Sequence, residues 1–269
     1  MVNSRLTVVN FIEKMKNKIQ IILILSALVL QSCVSKKQIL YLQDADLYDY
    51  QNIEYESSKI QPNDILSITV SALVPETTIP YNVQTVASTS STSLDIIKLQ
   101  GYLVSKEGTI VFPVLGKITV GGNTTAAVEK DIENLLKEGG HLKEPTVSVR
   151  LLNAKVTILG EVKNPGTYTF TEQNITLPQA LGYAGDLTIN GQRDDILLIT
   201  EENGVRKVVH IDLTSADWFN SPYYYIKPND FIVVNPNNAK VKSAGIIGDA
   251  GIVLTIVSIA LTAIVLIVK

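Results

Sequence analysis

One spelling occurs twice in this chain and ties two distant places to the same local fold. Ile60-Gln61-Pro62-Asn63-Asp64 and Ile226-Lys227-Pro228-Asn229-Asp230 share Ile-x-Pro-Asn-Asp, and each runs into apolar, β-branched residues. Proline at the second turn position fixes φ, and the aspartate that follows can accept backbone N–H groups of its own turn. Leu66, Ile68 and Val70 then alternate as in a half-buried strand, and Phe231-Ile232-Val233-Val234 forms a second apolar run. On this reading Pro62, Asp64, Pro228 and Asp230 shape turns. A catalytic aspartate is the sharper and weaker alternative.

The stretch between these turns reads as short strands with two helices. Gly101–Gly122 predicts strand, turn, strand, turn and strand. Thr124 or Thr125 caps a helix to Lys137, with Val128, Ile132 and Leu135-Leu136 on one face and Glu138-Gly139-Gly140 ending it. Thr146–Leu152 alternates as a further strand. Val156–Phe170 is a hairpin around Asn164-Pro165-Gly166, in which Gly160, Pro165 and Gly166 shape the backbone. Thr176–Asp186 is a short helix with Pro178 in its first turn and Gly185 past its end. Strands near Asp195–Thr200 and Val205–Asp212 meet at Asn203-Gly204, a tight-hairpin pair. Pro75–Leu94 is poor in charge and predicts a flexible loop. Val34–Lys59, with Tyr41, Tyr48, Tyr50 and Tyr55, predicts a tether wrapped on the first domain.

Both ends of the chain are apolar for reasons outside the fold. Lys14, Lys16 and Lys18 precede an uncharged run from Ile19 to Leu30, too short to cross a bilayer, which marks a secretory signal; Met15 is an alternative start. The single cysteine, Cys33, follows Leu30-Gln31-Ser32 and sits where the signal would be cut, as in a bacterial lipobox, so acylation of Cys33 would hold the mature chain to membrane lipid. Removing Arg5, Glu13, Lys14, Lys16 and Lys18 from 23 basic and 26 acidic residues leaves a mature chain near −6. A mildly acidic chain without a basic stripe is a poor nucleic-acid binder. At the other end, Ala250–Val268 carries no charge and is long enough, at roughly 28 Å of helix, for a transmembrane span. Gly251, Thr255, Ser258 and Thr262 make a small-residue stripe there, a candidate helix seam or lumen face.

Three motifs together resemble the bacterial outer-membrane polysaccharide export lipoproteins. They are Pro62-Asn63-Asp64-Ile65; Tyr102-x-Val104 with Gly108-Thr109-Ile110-x-x-Pro113-x-Leu115-Gly116; and Gly160-Glu161-Val162-x-x-Pro165-Gly166. The resemblance implies an α+β chain: signal peptide 1–32, lipidated tether 33–59, polysaccharide export domain 60–152, one soluble-ligand-binding β-grasp domain 153–238, and a C-terminal transmembrane helix over 244–269. It also implies a homo-oligomeric ring, commonly an octamer, acting as a channel for capsular or exopolysaccharide. The implied partner is an inner-membrane polysaccharide co-polymerase, often with a tyrosine-kinase module. This chain has one β-grasp unit where longer members have more, and its terminal helix is more uniformly apolar than a water-filled barrel calls for.

Catalysis finds little support. His141 and His210 stand alone, no Gly-rich phosphate loop follows a strand, and Asp194-Asp195 and Glu201-Glu202 sit beside turns. No catalytic residue, metal or cofactor is expected. The expected function is an outer-membrane export channel, and the rival is a membrane-tethered glycan-binding scaffold that conducts nothing.

Overall fold

The computed structural model describes residues 39–47, 57–82, 94–202 and 204–244, with 251, 254–256, 258, 259 and 262 near the end. All of these belong to one compact unit, Ile39–Lys269. The expected signal segment 1–32 and Cys33 lie outside the described residues.

The first core is built on a three-stranded antiparallel sheet of β1 (Ile65–Ser71), β2 (Tyr102–Leu103) and β5 (Thr146–Leu151), in the order β2-β1-β5. Leu66, Ile68 and Val70 face inward from β1 because a strand turns alternate residues to one side. A hairpin of β3 (Thr109–Phe112) and β4 (Gly116–Thr119) adds Ile110, Phe112 and Ile118. Helix α2 (Thr125–Glu138) closes the core with Val128, Ile132 and Leu136, each fully buried at a spacing of four. Its first turn is capped by Thr124, whose hydroxyl accepts the Ala127 N–H at 3.2 Å.

The second core lies under a five-stranded sheet. Its strands are β6 (Lys155–Gly160), β7 (Gly166–Thr169), β9 (Gly191–Glu202), β10 (Val205–Ile211) and β12 (Phe231–Pro236), in the order β10-β9-β12-β6-β7. β12 enters the middle of the sheet, parallel to β6 and antiparallel to β9. Helix α3 (Leu177–Tyr183) packs Leu177, Ala180 and Leu181 into this core, and β8 (Ile175–Thr176) pairs with β11 (Tyr225–Ile226) beside it. A capping box starts α3: the Gln179 N–H donates to Thr176 Oγ1 at 3.3 Å, and the Thr176 N–H donates to Gln179 Oε1 at 2.8 Å.

Three expectations need correction. The C-terminal transmembrane helix over 244–269, and that part of the fold class, does not stand: among the described residues no helix is long and apolar enough to cross a membrane. Helix α4 (Asn238–Ser243) is 6 residues long and carries Lys240 and Lys242 in its last turn. A charge-free run describes transfer into lipid and does not by itself set the length of a helix. Second, the predicted loop from Pro75 is helical in part: Pro75–Tyr81 is a 3-10 turn, and α1 (Leu94–Leu99) starts at its far end. Asn82 stabilises this segment by acting as a strand residue would. Its Oδ1 accepts the Val70 N–H at 2.9 Å and its Nδ2 donates to Val70 O at 2.8 Å. Third, the tether does not stay on the first core: Leu42 packs on the second, while Lys59 at its end bridges Thr124 of the first.

Candidate functional site

The two Pro-Asn-Asp turns have one geometry. In each, the aspartate N–H donates to the carbonyl three residues back at 3.2 Å, onto Gln61 O from Asp64 and onto Lys227 O from Asp230. Asn63 and Asn229, at the third position, both have φ of 69°, the left-handed value a type II turn requires and asparagine tolerates. Each aspartate then folds its carboxylate back: Asp64 Oδ2 accepts the Gln61 N–H at 2.8 Å, and Asp230 Oδ2 accepts the Lys227 N–H at 2.8 Å.

These turns meet where the two cores join. Asn229 Nδ2 donates to Gln61 Oε1 at 3.3 Å, with the Asn229 side chain close enough to the Asp64 carboxylate to favour its charged form. Asn153, in the link between β5 and β6, donates to Asn63 O at 3.0 Å and accepts the Ile65 N–H at 2.9 Å. From the other side the Asn229 N–H donates to Lys155 O at 2.7 Å. The link is thus held by both turns through groups within hydrogen-bond range. Both carboxylates are buried, at 3% exposure each. Burial raises Asp64, against the Gln61 N–H and Asn229 bonds that lower it. Burial likewise raises Asp230 to about 6, opposed by the Thr200 hydroxyl, the Lys227 N–H and the Lys227 charge.

A cleft of about 300 Å³ opens between Ser57 and Ser58, the α2 residues Thr125 and Glu129, Arg150 on β5, and Glu172. It is polar on both sides. Glu129 does not point freely into it, since Glu129 Oε1 accepts the Val149 N–H at 2.8 Å and, one turn on, Glu133 Oε1 accepts the Val147 N–H at 2.9 Å. Two carboxylates therefore occupy N–H groups along the outer edge of β5, the blunting an exposed sheet edge needs.

The other residues singled out in the sequence fall as follows. Gly108, at φ 73°, lies against Gly121 so closely that a Cβ on Gly121 would come within 2.7 Å of Gly108 Cα. Pro113 and Gly116 flank a turn in which the Leu115 N–H donates to Pro113 O at 2.7 Å and Val114 takes φ of 66°. Gly160, at φ 92°, faces Val234 O, which a Cβ would approach to 2.0 Å. Pro165 and Gly166 carry the chain from β6 into β7, where the Tyr168 hydroxyl donates to Asn164 O. Thr255 and Thr262 donate to Gly251 O and Ser258 O, both at 2.7 Å, so each hydroxyl bonds its own helix one turn back. The structure brings Asp64 and Asn229 together.

Sequence reasoning missed Asn153, Glu129 and Glu133. A helix carrying glutamates at a spacing of four beside its buried stripe was a usable signal for the last two. His210 Nδ1 lies 2.5 Å from Asp195 Oδ1 on an exposed face, and the His141 ring meets Tyr81 edge-on at 6.0 Å. Among the described residues no group of three or more His, Cys, Asp or Glu could hold a metal ion.

Comparison with known proteins gives this arrangement a context. The sequence model of the family described as polysaccharide biosynthesis/export protein matches residues 53–152, and that of the SLBB domain matches residues 155–208. The chain is similar to the EPS I polysaccharide export outer membrane protein EpsA of Ralstonia nicotianae (strain ATCC BAA-1114 / GMI1000), with 34% identity over 146 residues, 52% of this chain and 38% of that protein. It is also similar to the protein of the same name from Ralstonia solanacearum, at 28% identity over 187 residues, 66% of this chain and 48% of that one. The chain therefore spans less than half the length of these relatives. With an export domain and an SLBB domain in succession, it belongs to the polysaccharide export protein family.

Proposed function

We propose that this protein exports polysaccharide across the outer membrane as an oligomeric channel anchored by acylated Cys33. The observation that carries the reading is the pair of matched domains, in this order and pinned into one unit by the Pro62 and Pro228 turns. A rigid two-domain unit is a suitable wall element for a ring, because subunits that keep one internal angle close symmetrically. Its proposed partners are further copies of itself, the polymer and an inner-membrane co-polymerase. No step of bond chemistry is assigned to it.

The test is removal and complementation. Deleting the gene should abolish extracellular polymer while polymer accumulates inside, and the wild-type chain should restore export. Cys33→Ser should incorporate no acyl chain and leave the membrane fraction. Unchanged surface polymer in the deletion strain would count decisively against the export role. A strictly monomeric acylated protein in mild detergent would remove the ring.

A further inference from the structure

Part of the tether docks on the second core as a strap. The Leu42 N–H donates to Leu213 O at 3.1 Å, the Gln43 N–H donates to Thr214 O at 2.7 Å, and Asp44 Oδ1 accepts the Ala216 N–H at 2.7 Å. Ahead of these, Tyr41 lays its ring on the domain surface. Its hydroxyl donates to Asp186 Oδ1 at 2.7 Å, and the Arg193 guanidinium carbon sits over the ring, 5.1 Å from its centroid. A six-membered ring thus presents a hydroxyl to a carboxylate and a face to a buried guanidinium.

Two features show that the Arg193 place is built for more than the strap. Arg193 is only 6% exposed, and among the described residues it forms no ion pair. Nη1 donates to Gly191 O at 3.1 Å, yet Nε is buried with no partner. A guanidinium taken out of water with a donor unmatched is costly unless something else completes it. Asp186 adds to the cost: it holds a left-handed φ of 72°, uncommon for a side chain other than glycine's, while accepting the Leu187 N–H at 2.7 Å. Burial and the Asp186 bond both push the Tyr41 hydroxyl well above its ordinary value, so it remains a proton donor.

We propose that Asp186 and Arg193 form a saccharide subsite, and that Tyr41 fills it in the free protein as a stand-in for a pyranose ring. A sugar hydroxyl both donates and accepts, so one hydroxyl can donate to Asp186 and accept from Arg193, and a neighbouring oxygen can take the unmatched Nε. The Tyr41 ring offers the first group and lacks the second. The strap therefore closes the subsite, and a sugar unit opens it by replacing the ring. The sugar class rests on the export reading; the gated acid–guanidinium site does not.

The full-length chain in detergent, titrated with glucose, galactose and mannose by ligand-observed NMR, tests this. Tyr41→Ala should bind at least one of these sugars about tenfold more tightly than wild type, because a competent state that the strap keeps scarce becomes the main one. Adding Arg193→Gln or, more conservatively, Asp186→Asn to Tyr41→Ala should abolish that gain. The subsite is overturned if Tyr41→Ala binds none of the three sugars, or if both double variants bind as Tyr41→Ala does. Sugar binding by Tyr41→Ala alongside normal polymer export in the deletion strain would defeat the export reading and leave the subsite standing. Lost export with no sugar binding would do the reverse.

Discussion

Glu129 on helix α2 accepts the N–H of Val149 on β5 at 2.8 Å, a bond across the first core that finishes a sheet edge with a side chain. With Glu133 on Val147 it leaves two N–H groups of β5 engaged by carboxylates, so the strand is a poor template for pairing with another chain. Glu129→Ala should lower unfolding free energy by about 1–2 kcal/mol, the cost of an unmatched, part-buried N–H. Glu129→Gln keeps an acceptor and should lose less. Denaturant unfolding of both variants checks this, and equal losses would show that the acceptor is irrelevant.

Asp230 gives a pH dependence whose sign follows from its environment. Its carboxyl is raised from 3.8 to about 6, so the folded chain binds this proton more tightly than the unfolded chain does. Stability from this group is therefore present below about pH 4, is lost as pH rises towards 6, and is level above that. The change is of the order of 3 kcal/mol across the window, and buried Asp64 acts in the same direction. Asp230→Asn retains an oxygen for the Lys227 N–H and should flatten that part of the stability curve. An unaltered curve would mean that another group is responsible.

Gly160 admits no side chain. A Cβ there would lie 2.0 Å from Val234 O, on a backbone at φ 92°. Gly160→Ala should force β6 away from β12 and cost roughly 3 kcal/mol or more, as backbone strain and a steric clash add. Loss of amide protection at Glu161, whose N–H donates to Val234 O at 2.9 Å, reports the same event locally.

Val114 is the opposite case, since a β-branched residue at φ 66° is under strain that glycine would not feel. Its side chain is largely exposed, so little packing is lost on removing it. Val114→Gly should raise the melting temperature, by an amount equivalent to about 1 kcal/mol. A fall in melting temperature would mean that the valine contributes more by packing than its backbone costs.

What could be read from the sequence was local. The α2 helix is legible from Thr124 and the spacing of Val128, Ile132 and Leu136, and the β6–β7 hairpin from Asn164-Pro165-Gly166, because both lie within a few turns of chain. The shared turn spelling was equally plain. That the two turns touch was not, since Gln61 and Asn229 are 168 residues apart and polar at the surface of each motif. Asn82 standing in for a strand residue is invisible for the same reason. That the tether also reaches the second core is not legible, because tyrosines signal contact without signalling a destination, and Asp186 and Arg193 lie far down the chain. The terminal span differs, since a charge-free run says nothing of helix length, and among the described residues no helix is long and apolar enough to cross a membrane.

The position of β12 governs how this chain can fold. The strand is among the last of the described elements, yet it sits between β6 and β9 at the centre of its sheet. A chain appearing from its N-terminus can finish the first core once β5 is out, but the second must wait, with β6 and β9 unjoined, until Pro236 has emerged. Such non-local pairing folds slowly and exposes strand edges meanwhile. The second core is therefore the part most in need of a chaperone until the whole chain is available, and the first is a folded platform on which it assembles.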